Sequence, residues 1–132
     1  MNVRKVLTEV LRAERGKPFV WGESDCLMTA AAFAQAVTGD DPVAHLRGRY
    51  DSEFSWKRVM VEEGWRDMGD VAASIFREVP VAMSRAGDWA RVTNEDGSDG
   101  LGVVVGDLIA VRSLVGLGYV PLLRARRAFR VG

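Results

Sequence analysis

The chain of 132 residues holds one cysteine, Cys26, and one histidine, His45. These two side chain types could together run nucleophilic catalysis. A cysteine nucleophile needs a partner that holds it as thiolate and later protonates the leaving group, and imidazole does this near neutral pH. Cys26 closes the stretch Pro18-Phe19-Val20-Trp21-Gly22-Glu23-Ser24-Asp25-Cys26, where an aromatic loop meets an alanine-rich helical pattern. Ser24 or Asp25 can cap that helix by accepting the free amides of its first turn. A sulfur there sits at the positive end of the helix dipole, which favours thiolate over thiol. The same position equally suits a small buried cysteine packed beside alanines.

The base is the harder half of the pair. His45 lies nineteen residues after Cys26, beyond the far end of a helix about 20 Å long. It reaches the sulfur only if the chain folds straight back along that helix. Without imidazole the dipole contributes about 0.3–1 kcal/mol at exposed sites and up to about 2 when partly buried. That is too little to drive amide hydrolysis efficiently. Asp99 could approach the sulfur, but a carboxylate beside a thiol raises its pKa. For substrate binding the candidates are Trp21, as a cleft wall or as packing under the helix, and Arg47 with Arg49. The two arginines flank Gly48 and could hold a carboxylate or pair with nearby acids. Asp40 with Asp41, and Glu62 with Glu63, are acidic doublets at turns and helix ends, where carboxylates are mostly solvated. Neither a metal nor a cofactor is expected.

Several elements must position these groups. Asn2 can cap a first helix whose stripe is Val3, Val6, Leu7, Val10 and Leu11. The cysteine helix, with Leu27, Ala30, Ala31, Phe33, Ala34 and Val37 inward, stops near Thr38-Gly39. Asp40-Asp41-Pro42 starts a short helical piece carrying His45. Asp51 or Ser52 caps a third helix to about Glu63, with Phe54, Trp56, Val59 and Met60 as its apolar side and Gly64 as its stop. Asp67 caps a fourth, with Val71, Ala72, Ile75 and Phe76 inward. From Val79 the pattern turns extended. Strands are expected over 88–93, 101–106 and 107–113, then at Tyr119–Leu123 after a turn broken by Gly116 and Gly118, and at Arg126–Val131. Asn94 to Gly100 reads as the turn before the second of these, and Gly106-Asp107 as a tight hairpin. The basic run Arg124, Arg126, Arg127, Arg130 suggests an edge strand protected by charge or, alternatively, a strip that docks on an acidic partner surface. Helices first and antiparallel strands later define an α+β fold, one domain over 1–132, with the cysteine helix on a sheet of about five strands.

Composition removes several function classes. Eighteen basic and eighteen acidic residues cancel, which argues against general nucleic-acid binding. No run of 18 apolar residues exists, so no membrane insertion is expected. The N-terminal stretch lacks the pattern of a secretion signal. One cysteine permits neither an internal disulfide nor a Cys-rich metal framework, which suits synthesis in a reducing cytoplasm.

Trp21-Gly22-Glu23-Ser24-Asp25-Cys26 is similar to the nucleophile motif of the NlpC-like cell-wall cysteine peptidases, a circularly permuted papain-like family. More narrowly, the chain resembles a small branch of that superfamily found in phage and prophage tail gene clusters. Leu46-Arg47-Gly48-Arg49-Tyr50 comes after the cysteine helix in the expected order. Gly87-Asp88-Trp89 is similar to the Gly-Asp-Leu of the family's first core strand, and Leu101-Gly102-Val103-Val104-Val105-Gly106 to its second. The resemblance implies a papain-like, NlpC-type α+β fold with Cys26 at the nucleophile position. In active members a histidine stands two residues before the first glycine of the second strand; here that position is Gly100. With that departure, the resemblance implies a phage tail-tip, hub-associated protein with a degenerate catalytic site, acting as a structural and interaction component. It would contact other tail-tip or hub proteins and reside in the virion tail after synthesis in the host cytoplasm. The alternative is an active peptidoglycan peptidase assisting genome entry, with Cys26 as nucleophile and an unconventional base, His45 being the candidate. A thiol-dependent or redox role of Cys26 alone is a third option.

Overall fold

The structure, a computed structural model, describes residues 1–132. Helices α1 (Val3–Glu14), α2 (Cys26–Thr38), α3 (Glu53–Glu63) and α4 (Met68–Ala73) come first. Strands β1 (Arg77–Val79), β2 (Trp89–Thr93), β3 (Asp99–Val104), β4 (Leu108–Ser113), β5 (Gly116–Pro121) and β6 (Ala125–Arg130) come after them. The strands form one antiparallel sheet in the order β1-β6-β2-β3-β4-β5. This is the α+β division expected from the change of period at Val79, with six strands instead of about five. The extra strand is β1. Two of its three residues are charged, so it carries no apolar alternation to betray it.

Helix α2 is the centre of the fold. Asp25 caps it, accepting from the Met28 amide at 2.8 Å, and Gly39 ends it in the left-handed region at φ 88°. Leu27, Met28, Thr29, Ala30, Ala31, Phe33 and Ala34 are all buried, so α2 is enclosed on more sides than a one-faced stripe would be. Short alanines allow this close packing. Trp89 of β2 donates its indole N–H to the Ala30 carbonyl at 3.0 Å and stacks edge-on against Phe76. Beneath the helices, Leu101, Val103, Trp89 and Phe129 join one large core. On the far face of the sheet, Ala90, Val92, Val104, Ile109 and Val111 form a second, smaller one.

Arg112 of β4 is wholly buried, and every polar atom it carries is used. Its Nε donates to Thr29 Oγ1 at 3.0 Å, Nη2 to the Glu14 carbonyl at 2.9 Å, and Nη1 to the Lys17 carbonyl. One guanidinium thereby ties the end of α1 and the first turns of α2 to the sheet, and Glu14 lies beside it at 3.4 Å. A buried charge survives only when paired in this way.

Four expectations are corrected. The arginine-rich strand β6 is not an edge, because it lies between β1 and β2. Its Arg127 and Arg130 are fixed by Asp70, Glu78 and Asp88 instead of guarding an open edge. Gly116 and Gly118 lie inside β5, not in a turn before it; the turn is Leu114-Val115. The second core strand begins at Asp99 and ends at Val104, two residues earlier than 101–106. Phe54 points outward at 78% exposure, leaving Trp56 and Val59 as the buried side of α3.

Candidate functional site around Cys26

The loop before α2 is built by three local devices. Gly22 has φ 81°, and a Cβ there would lie 2.4 Å from the Tyr50 carbonyl oxygen, so only glycine fits. Ser24 donates its hydroxyl to the Pro18 carbonyl at 2.6 Å. Asp25 is buried and accepts three hydrogen bonds: from the Met28 amide and the Gly22 amide, both at 2.8 Å, and from the Tyr50 hydroxyl at 2.6 Å. Burial, then the adjacent Asp25 charge, holds the Tyr50 phenol well above its usual range, so it remains a donor. Gly22, Ser24 and Asp25 thus form a folding device that sets the sulfur at the start of α2.

Cys26 stands on the wall of a groove of about 380 Å³ with Phe19, Trp21, Trp56, Met68 and Asp99 among its lining. Trp21 packs edge-on against Phe19 at 4.9 Å and is partly buried against the main core, so it combines wall and packing roles. The thiol is pushed up to about 12, first by burial and next by the Asp25 charge, with Asp99 adding in the same direction. Backbone hydrogen bonding at Leu101 and Leu27 acts the other way and is outweighed. The expected bias of the helix end toward thiolate is therefore reversed, because desolvation of a charge exceeds what one helix terminus supplies.

No imidazole belongs to these surroundings. His45 is exposed in the 3-10 turn Ala44–Leu46, and the groups acting on the sulfur are carboxylates and backbone. Position 100 does not face the sulfur either. A side chain on Gly100 would meet Asn94 and Val92, and Val92 belongs to the core on the far face of the sheet. Strand alternation gives the cysteine side of β3 to Asp99 and Leu101 instead. Asp99 is occupied: it accepts from the Met68 amide at 2.7 Å and from Arg91 Nε at 2.9 Å.

Arg47 and Arg49 do not converge on the groove. Arg47 pairs with Asp41 at 2.6 Å and touches the Met28 sulfur at 3.4 Å, and Arg49 pairs with Glu63 at 2.9 Å and Glu62 at 3.5 Å. The acidic doublets are thus largely the arginines' partners, and no three His, Cys, Asp or Glu side chains gather where they could hold a metal ion. Sequence reasoning missed Arg112 and the hydroxyl of Tyr50. A lone arginine directly after the apolar run Leu108–Val111 was the signal for the first. Nothing in the spacing marks the second.

No helix is long and apolar enough to cross a membrane. No curated protein matches the chain. The family described as Domain of unknown function (DUF6950) matches residues 1–131, and the chain belongs to that family.

Proposed function

We propose that this member of the DUF6950 family is a papain-like, NlpC-type domain that no longer hydrolyses, and that it serves as a structural and interaction component of a phage tail tip. The observation that carries the first half is the environment of Cys26. A thiol pushed up to about 12, faced by two carboxylates and no imidazole, is neither a nucleophile at neutral pH nor served by an acid for the leaving amine. The order of a cysteine-led helix before an antiparallel sheet agrees with the papain-like reading. The tail location rests on the resemblance of Trp21–Cys26 and the later Gly-Asp and Leu-Gly stretches, and its partners would be other tail-tip or hub proteins.

The test compares wild type and one variant in one background. Purified protein incubated with muropeptides at neutral pH should release no peptide above the rate of Cys26→Ser, and Cys26→Ser should leave tail assembly intact. Peptide release that disappears in Cys26→Ser would make the domain a working peptidoglycan peptidase. Purified tails free of the chain would remove the tail-tip assignment.

A further inference from the structure

Strand β5 is a free edge of the sheet. Its residues Gly116–Pro121 carry no charged side chain and pair with β4 over six positions without a bulge. Exposed edges are ordinarily kept short, charged or bulged so that no other strand adds to them. The opposite edge, β1, obeys that rule: it has three residues, Arg77 and Glu78 among them.

The direction of the backbone groups can be read from one bond. Val105 N–H donates to the Leu108 carbonyl at 2.9 Å, so Leu108, and by alternation Ala110 and Arg112, turn toward β3. Ile109, Val111 and Ser113 therefore bond to β5 through Val120, Gly118 and Gly116. Leu117 and Tyr119 are left pointing both N–H and C=O outward, with the Pro121 carbonyl beyond them.

Beside this edge, between the Asn94–Asp96 turn and the β4–β5 hairpin, lies a cavity of about 390 Å³. Val111, Gly118 and Val120 line its apolar part, and the space above Gly118 is empty. Its charged lining residues are Glu95 and Asp96; Asp96 accepts only from Ser98, and no Lys or Arg lines the cavity. A strand added to β5 places the residue opposite Gly118 on this same face. A long aliphatic stem there would cover Val111 and Val120 and bring a cationic head to the two carboxylates. The residues on either side of it fall on the face of Leu117 and Tyr119, which favours apolar neighbours.

We infer that β5 and this cavity form a docking site for an extended segment of a partner protein, which adds a strand to the sheet and anchors a Lys or Arg, set between apolar residues, at Glu95 and Asp96. Main-chain bonds supply the affinity and the charged anchor the selectivity. The inference rests on the interaction role proposed above and gives that role a partner chemistry.

The test titrates the whole chain with a short blocked peptide of alternating Val and Thr carrying one central Lys, monitored by amide NMR. Tyr119→Pro removes an outward N–H without touching the β4 ladder, and Glu95→Gln with Asp96→Asn removes the anchor. The peptide should shift the Leu117, Gly118 and Tyr119 signals, and either change should weaken it about tenfold or more. A central Glu in place of Lys should abolish binding. If Tyr119→Pro does not fold, the carboxylate variant alone decides. Equal binding of the Lys and Glu peptides, no binding of either, or shifts away from β5 would overturn the site. So would self-association of the chain abolished by Tyr119→Pro, which would make a second copy the occupant. Intact tail association in variants that no longer bind the peptide would sink this site as the partner contact and leave the interaction role standing.

Discussion

Cys26 keeps its proton because removing a charge from water costs more than the start of α2 returns. The consequence is a pH dependence with a definite sign. An unfolded cysteine titrates near about 8.5, whereas the folded thiol is pushed up to about 12. Between those values the native state holds a proton that the unfolded chain has released. Its contribution to stability is therefore complete below about pH 8.5 and declines as pH rises toward 12. In Cys26→Ala that component vanishes, so the variant's urea midpoint should fall less steeply above about pH 9 than the wild type's. Parallel midpoint curves for the two proteins would contradict the raised thiol. At the same scale, Asp25 and Gly22 serve the backbone of the loop before α2. Each is required by loop geometry whether or not the sulfur reacts.

At the scale of elements, α4 is tied to the sheet by ion pairs as well as by apolar area. Arg127 of β6 places Nη1 3.1 Å from Asp70 and Nη2 2.7 Å from Glu78, while Arg66 grips the other side of Asp70 at 2.9 Å. Hydrogen bonding from Arg66, then from Arg127, holds the Asp70 carboxyl far below its usual range, and Arg127 also lowers Glu78. Carboxyls lowered in this way stabilise the fold above their ordinary range near about 4 and lose that contribution as pH falls below it. Arg127→Gln should cost roughly 1 kcal/mol at neutral pH, since the pairs are partly solvated. The same variant should lose less than the wild type between about pH 5 and about pH 3. Urea titrations at neutral pH and at both ends of that acid range give the two numbers, and an unchanged acid slope would exclude Arg127 as the source.

For the whole molecule, the joint between layers is Trp89 and not Trp21. Trp89 is fully buried and hydrogen-bonded to the Ala30 carbonyl, so Trp89→Ala should cost about 3–5 kcal/mol. Trp21 lies on the groove wall and keeps part of its surface in solvent, so Trp21→Ala should cost clearly less. Thermal melts of the two variants rank them directly, and a reversed order would mean that the loop before α2, and not the α2–sheet contact, limits stability. Under the tail-tip role proposed above, the same ranking should appear as incorporation, with Trp89→Ala excluded first.

Much was already written in local chemistry. The caps at Asn2, Asp25 and Asp67, the stops at Gly39 and Gly64, and the switch from helical to extended period near Val79 are all short-range signals. The four helices and the main strands obey them. The helix between Cys26 and His45, together with glycine at position 100, also signalled a cysteine without a base. Long-range placement escaped such signals. Nothing local distinguishes an edge strand from an interior one, so the arginines of β6 misled, and a three-residue strand such as β1 is visible only once β6 lies beside it. Likewise the dipole argument at Cys26 is a statement about one helix, whereas the proton is held by burial and by Asp25 and Asp99 gathered from the cap and from β3. By itself the sequence determined the four helices, the five longer strands and their order, and it weighed against His45 as a base for the cysteine. Tertiary structure alone decided the strand order, the face to which position 100 points and the ion pairs that occupy Arg47 and Arg49. Capping and periodicity act within a few residues, whereas strand pairing and desolvation are set by neighbours that meet only in the folded chain.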